Sequence, residues 1–93
     1  MEEARAVFRG RVQGVGFRAR TVDLMRDSGL SGYVQNLTDG TVRVVLQGSK
    51  PEMERALDRL RQHLQRFIQS EDLAFRQPTT LLVGFRVRPT EAP

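Results

Sequence analysis

The stretch of sequence that decides the fold runs from Gly10 to Arg18 and reads GRVQGVGFR. Ahead of its glycines, residues 4–12 alternate apolar and polar side chains, which predicts a β-strand. Behind them, residues 18–28 are predicted to form a helix. Gly14 and Gly16 lie at this junction, where the chain has to turn sharply. Glycine permits the positive φ values that such a turn needs.

This junction has the chemistry of a site for a phosphate-sized anion. The unpaired N–H groups of a helix's first turn coincide with the positive end of its dipole, and the amides of a curled loop form an anion-binding concavity. Arg18 adds a forked cation beside them. The motif is neither a Walker loop nor the dinucleotide fingerprint, which needs a third glycine. Taken alone, it is also compatible with a plain tight turn.

Length and composition predict one domain over residues 1–93, with flexible ends at 1–3 and 89–93. There is no cysteine, and therefore no disulfide, thiol nucleophile or thiolate metal site. No apolar run reaches membrane-spanning length, and the first residues lack the order of a signal peptide. We therefore expect a cytoplasmic protein without membrane contact. The net charge of +4 favours anionic partners, but the arginines are spread along the whole chain, so nucleic acid is a disfavoured partner.

A β-hairpin is predicted from segments 32–37 and 41–47. A two-residue turn would place Gln35 on the face of the second strand's apolar residues. A three-residue loop with Gly40 in the left-handed conformation would shift the pairing by one residue and place Asn36 on that face instead. The second register buries fewer polar groups and leaves Gln35 on the open side, so we prefer it.

The second helix has the clearest pattern in the chain. Ser49 and Glu52 predict a capping box at its start. Apolar residues then recur at spacings of four and three, which predicts a helix face packed on the core: Met53, Leu57, Leu60, Leu64 and Phe67. After it, residues 73–76 predict a short strand and residues 81–87 a longer one. The order predicts an α+β, ferredoxin-like βαββαβ sandwich, with an antiparallel sheet, two helices packed on one face and one additional short strand.

Two segments on this pattern together resemble the acylphosphatase family. Gly10–Arg18 is similar to the family's phosphate-loop signature. Gly32–Gly48, which reads GYVQNLTDGTVRVVLQG, is similar to its second signature, built around an asparagine and an Asp-Gly hairpin. The resemblance covers roughly residues 4–68 and returns at 85–88. It implies an acylphosphatase, an enzyme that hydrolyses small acyl phosphates to carboxylate and orthophosphate without a metal or cofactor.

The resemblance also implies a role for particular residues. Arg18 is expected to hold the substrate phosphate and Asn36 to position the attacking water, and these are the two predicted catalytic residues. The backbone amides expected to bind the phosphate are those of Gln13, Gly14, Val15, Gly16, Phe17 and Arg18. Inorganic phosphate or sulfate is expected to occupy the same loop, and the protein is expected to be a monomer.

Two other functions remain open from the sequence. Acylphosphatase-like domains also occur within carbamoyl-transfer enzymes, so the chain is alternatively a non-catalytic or carbamoyl-phosphate-binding module. RNA-recognition domains share the ferredoxin-like topology and stack bases on aromatic side chains of the sheet; here only Tyr33 is placed to do so. Asp39 is interpreted as a turn residue and not as a general base.

Overall fold

Two helices pack on one face of a mixed five-stranded sheet in the computed structural model, which describes all residues, 1–93. Neither helix is long and apolar enough to span a bilayer. In chain order the elements are β1 Glu2–Gly10, α1 Phe17–Met25, β2 Ser31–Leu37, β3 Val42–Gly48, α2 Lys50–Leu64, a short 3-10 turn Gln65–Phe67, β4 Ile68–Arg76 and β5 Phe85–Glu91.

The strand order β4-β1-β3-β2-β5 confirms the ferredoxin-like prediction. The sheet is not antiparallel throughout, however, because β5 pairs in parallel with β2. The reason is the last connection: β4 lies at one edge of the sheet and β5 at the other, so residues 77–84 carry the chain across the sheet before β5 begins. The other three strand pairs are antiparallel.

The core lies between the sheet and the helices, as the alternation of β1 and the stripe of α2 predict. Four of the five predicted stripe residues of α2 are fully buried, and Phe67 packs against them from the 3-10 turn. At the start of α2, the Ser49 hydroxyl donates to Glu52 Oε1 at 2.7 Å and accepts from the Glu52 amide at 3.4 Å. The cap therefore fixes where this helix begins.

Helix α1 is shorter than the predicted span of residues 18–28. It ends at Met25, where the Ser28 side chain hydrogen-bonds backbone groups that would otherwise continue the helix. The Ser28 hydroxyl donates to the Met25 carbonyl at 2.7 Å and accepts from the Leu30 amide at 3.1 Å. Within the helix, Thr21 is fully buried on the core side. Its hydroxyl donates to the carbonyl of Phe17 at 2.8 Å, which satisfies the one polar group on this face.

The hairpin adopts the preferred register. The Leu37 amide donates to the Thr41 carbonyl at 2.9 Å, and Gly40 has φ 90°. Asn36 is paired with Val42 and so lies on the helix-covered face. Gln35 lies on the opposite face, as predicted, but it is buried rather than open. The end of β5 covers it, and its Nε2 donates to the Pro89 carbonyl at 2.9 Å.

The last third of the chain differs from the predicted boundaries. β4 begins at Ile68, five residues before the predicted short strand, because its backbone pairs with β1 along its length. The predicted strand at 81–87 begins only at Phe85. The earlier start was predicted because Leu81 and Val83 continue the apolar alternation of this strand. In the structure they lie on the segment that crosses the sheet, and they are 69% and 83% exposed.

Strand pairing also reaches into both segments that were predicted to be flexible. Glu2 and Glu3 lie in β1, opposite the end of β3. At the other terminus, residues 89–91 belong to β5. Pro89 is compatible with a strand there because β5 is an edge strand, where a missing N–H removes no bond to a further neighbour.

A cluster of polar side chains around the buried Glu3 and Gln47 holds the crossing segment to the sheet. The Gln47 amide group donates to the Thr80 carbonyl at 2.7 Å and to the Glu3 carboxylate at 2.9 Å. Glu3 also accepts from Arg76 Nε at 2.7 Å and from Arg5 at 3.2 Å. Burial opposes ionisation of Glu3, but the hydrogen bonds from Gln47, Arg76 and Arg5 outweigh it and lower its pKa below the usual range of a glutamate.

We expect Glu3→Gln to lower the free energy of unfolding at neutral pH and to make this free energy less dependent on pH in the acid range. Because the pKa of Glu3 is lowered by folding, the carboxylate stabilises the fold fully above the pKa of an unfolded glutamate, and it loses this effect as the pH falls through the lowered pKa of the folded state. The variant should have a lower free energy of unfolding at pH 7. It should also lose less of that free energy on acidification, as measured by urea unfolding between pH 3 and 7.

The matched control for this experiment is Glu54→Gln, since Glu54 is exposed on α2. It should keep the pH dependence of the unmodified protein. Equal acid dependence in Glu3→Gln and the unmodified protein would contradict the stabilising role of this cluster.

Candidate active site

The loop between β1 and α1 begins at a position that only glycine can occupy. Gly10 has φ 134°, and a Cβ built on it would overlap the carbonyl oxygen of Phe67. The pairing of β1 with β4 shifts register at this point, so the chain leaves the sheet. Gly14 and Gly16 follow with φ of 77° and 83°, and no atom lies within 4 Å of a Cβ at either position. These two glycines are therefore needed for the backbone conformation, and the space beside them is open.

The loop ends at a helix N-terminus without a side-chain cap. Gly16 is the N-cap of α1, no side chain accepts from the first-turn amides, and the first turn contains no acidic residue. These amides and the helix dipole therefore present positive potential to the open space. Arg18 is exposed and takes part in none of the ion pairs of the protein. Its guanidinium is thus free to bind an anion beside the loop.

A cavity of about 300 Å³ lies beside the loop, and four of the six residues predicted to bind phosphate are in its wall: Gly14, Gly16, Phe17 and Arg18. The other two, Gln13 and Val15, do not line it. A slightly larger cavity, of about 360 Å³, lies at the other end of α1 beside Met25 and contains none of the predicted site residues. The cavity beside the loop is the candidate anion site, because it combines uncapped amides with the unpaired guanidinium of Arg18.

Gln13 connects this loop to the β2–β3 hairpin through its side chain. Its Nε2 donates to the Leu37 carbonyl at 2.8 Å and to the Thr41 carbonyl at 2.9 Å. The sequence predicts a role only for the backbone amide of Gln13. Its side-chain contacts were missed, and no pattern in one sequence indicates them, because both acceptors are main-chain groups distant along the chain.

Asn36 is the second predicted catalytic residue, and it is buried next to this connection. It immediately precedes Leu37, lies on the helix-covered face and is 9% exposed. Its Oδ1 is the one buried side-chain polar atom without a hydrogen-bond partner. Asn36 is not part of the cavity wall; its connection with the loop runs through Gln13. An unpartnered buried acceptor is destabilising by about 1–3 kcal/mol, which makes it a candidate functional group.

The remaining sequence candidates occupy structural positions. Asp39 accepts from the Thr41 hydroxyl at 2.6 Å and from the Thr41 amide at 3.0 Å, and these hydrogen bonds lower its pKa. It is a turn residue, as predicted, and a weaker base than a free aspartate.

Tyr33 is 6% exposed beneath Arg88, whose guanidinium lies 3.8 Å from the ring centre. Its ring face is therefore not open to a stacking base. No three histidine, cysteine or acidic side chains are grouped in a way that could hold a metal ion.

The fold and the uncapped loop define a ferredoxin-like α+β domain with a candidate anion-binding site. The profile of the acylphosphatase family matches residues 4–87. The chain therefore belongs to the acylphosphatase family, which confirms the resemblance seen in the sequence and extends it through the weakly patterned segment after α2.

Curated relatives agree with this assignment. An acylphosphatase from Synechococcus is 39% identical over 82 residues, covering 88% of this chain and 87% of the relative. Acylphosphatases from Picrophilus torridus and Thermus thermophilus are 48% and 49% identical over shorter matches. These matches cover 56% and 61% of this chain, and 64% and 65% of the two relatives.

Solved structures show the same fold. The crystal structure of an acylphosphatase from Bacillus subtilis superposes with a TM-score of 0.83 at 22% identity, covering 95% of this chain and 99% of that one. HypF from T. kodakarensis superposes with a TM-score of 0.84 at 23% identity, covering all of this chain but 12% of that protein. The fold therefore also occurs within a much longer chain.

We expect Gln13→Ala to destabilise the protein by about 1–2 kcal/mol, because two hydrogen bonds that join the loop to the hairpin are lost. Urea unfolding at pH 7 measures the change. The control is Gln62→Ala, since Gln62 is exposed on α2 and should have an effect near zero. Equal stability of the two variants would show that the Gln13 bonds add nothing to the fold.

Proposed function

We propose that the protein hydrolyses small acyl phosphates to a carboxylate and orthophosphate, as a cytoplasmic, monomeric acylphosphatase. Membership of the acylphosphatase family supports the reaction class. The observation that carries the mechanism is the pairing of an uncapped, glycine-turned loop with the buried, unpartnered Oδ1 of Asn36. One half supplies sites for the phosphate oxygens, and the other supplies an acceptor for a water molecule.

The phosphate is bound by the backbone amides of residues 13–18 and by Arg18. Phosphoryl transfer requires mainly the positioning of its reactants and stabilisation of charge on the three equatorial oxygens. Preformed amides and one guanidinium provide this stabilisation without reorganising during the reaction. The positive φ of Gly14 and Gly16 supports such a curled arrangement.

The attacking water is oriented by Asn36. Its Oδ1 accepts a hydrogen bond from the water, and the neighbouring hydrogen bonds of Gln13 keep the strand in place beside the loop. The water oxygen forms a bond to phosphorus while the bond from phosphorus to the acyl oxygen breaks. The acyl oxygen leaves with the electron pair as a carboxylate, and the water's proton passes to the orthophosphate.

This chemistry needs no general acid. The leaving carboxylate has a conjugate acid with a pKa of about 4, so it departs unprotonated at neutral pH. The site offers no histidine, and Asp39 is engaged by Thr41. An amide loop, one arginine and one carboxamide are sufficient for a substrate that is already activated.

We expect Arg18→Ala and Asn36→Ala each to lower kcat/KM for a simple aryl acyl phosphate by at least about a hundredfold, the scale of losing a preorganised charge-stabilising or positioning group. Arg20→Ala is the control, because Arg20 is also exposed on α1 but does not line the cavity. EDTA should leave turnover unchanged, and inorganic phosphate should compete with substrate. Unchanged rates in both site variants, with native circular dichroism, would refute the mechanism.

The alternative is a non-catalytic or carbamoyl-phosphate-binding module. The superposition of the whole chain on a small part of HypF favours it, because the fold there belongs to a longer protein. Saturable binding of carbamoyl phosphate, with no hydrolysis of other acyl phosphates, would support this alternative over the enzyme.

A further inference from the structure

The sheet face opposite the helices carries most of the net positive charge of the protein. Side chains alternate between the two faces along a strand, so the strand registers place six arginines on this open face: Arg5, Arg9, Arg43, Arg76, Arg86 and Arg88. Three acidic side chains share the face: Glu3, Asp72 and Glu91. Its net charge is therefore +3, out of +4 for the whole chain. Strand pairing thus gathers arginines that are scattered along the sequence.

A cavity of about 190 Å³ lies on this face, between the sheet and the segment that crosses it. Its wall contains three of the six arginines, Arg5, Arg76 and Arg88, and its one acidic residue is Glu3. The wall therefore has a net charge of +2. The volume is sufficient for a phosphate group, whose four oxygen atoms need about the space of four waters, roughly 120 Å³.

The guanidinium groups of the wall keep N–H donors for a further acceptor. A guanidinium has five N–H groups, and Arg76 uses only Nε and Arg5 only Nη1, both toward Glu3. Arg88 takes part in no ion pair. Forked donors of this kind match the oxygen atoms of a phosphate or carboxylate. Two threonines, which carry hydroxyl donors, lie in the same wall: Thr79 and Thr80.

These arginines are held in place by the protein itself. The buried Glu3 carboxylate orders Arg5 and Arg76. The ring of Tyr33 orders Arg88, because the guanidinium lies 3.8 Å from the ring centre and its N–H groups stay available at its edge. A ligand that binds such preformed donors loses less affinity to the ordering of side chains.

We propose that this cavity is a second anion site, which binds the phosphate group of orthophosphate or of a phosphate monoester through Arg5, Arg76 and Arg88. The site lies across the sheet from Asn36, which is on the helix-covered face, and it does not depend on the hydrolytic function proposed above. Two negative charges on the ligand match the net charge of the wall, and the bound group also bridges the sheet to the crossing segment.

The test is a titration of the isotope-labelled protein with inorganic phosphate at constant ionic strength, followed by amide nitrogen–proton correlation spectra. The amides of Thr79 and Thr80 should shift saturably, with a Kd of about 1–10 mM. Arg88→Gln should raise this Kd about tenfold, because charge-assisted hydrogen bonds to the phosphate are lost. Arg88→Lys keeps the charge without the fork and should raise it by a smaller factor.

The matched control is Arg86→Gln. It removes the same charge from the same strand and face, but Arg86 is not part of the cavity wall. It should change the Kd by less than about twofold, because exposed charges interact weakly through salt solution. Arg18→Ala should leave the shifts of Thr79 and Thr80 in place, which separates this site from the loop between β1 and α1.

A parallel titration with phenyl phosphate distinguishes the two sources of the phosphate group. Tighter binding than that of orthophosphate would assign the site to a monoester, and weaker binding would assign it to free phosphate; either order supports the site. The absence of saturable shifts at Thr79 and Thr80 up to about 50 mM of either ligand would overturn it. Equal effects of Arg88→Gln and Arg86→Gln would overturn it as well, since they would reflect only the general charge of the face.

Discussion

The two hydrogen bonds from the Gln13 side chain to the hairpin are the contact on which the candidate site depends. They join groups that are 24 and 28 residues apart in the chain, Gln13 to Leu37 and Gln13 to Thr41. Without them the loop would be held only by its ends and by the core packing of Val12 and Val15, and the freedom of Gly14 and Gly16 would let it populate more conformations. With them, the loop amides are fixed relative to the strand that carries Asn36. Preorganisation of this kind is what electrostatic stabilisation of a transition state requires.

The hairpin shows which part of this arrangement follows from the sequence. Strand side chains alternate with a period of two, so a shift of one residue exchanges the buried and open faces. Val42, Val44 and Leu46 fix which face of β3 packs against the helices, and Gly40 allows the three-residue loop. Together they are sufficient to predict that Asn36 lies on the helix-covered face. The buried stripe and cap of α2 were predictable for the same reason, because a periodic apolar pattern leaves one register that buries it.

The C-terminal third was less predictable because its two strands lie at the edges of the sheet, where most side chains are exposed and no apolar alternation is required. β4 is stabilised by backbone pairing with β1 and by the bidentate contact of Arg61 with Glu71, and most of its side chains are exposed. An exposed strand needs no apolar alternation, so its first five residues gave no signal. The reverse error occurred at residues 81–84, where Leu81 and Val83 alternate as in a strand but face solvent. Their path is set by Gln47, a tertiary contact that no local pattern contains.

Two buried polar side chains of this protein, Glu3 and Asn36, differ in whether the protein satisfies their hydrogen bonds. Glu3 accepts hydrogen bonds from Gln47, Arg5 and Arg76, so its burial is compensated and its charge stabilises the fold. Asn36 is almost as buried, yet its Oδ1 has no partner. No group of the protein donates to this acceptor, so the missing donor has to come from a bound molecule. A water molecule placed beside a bound phosphate satisfies that requirement, and it is the nucleophile that the proposed reaction needs.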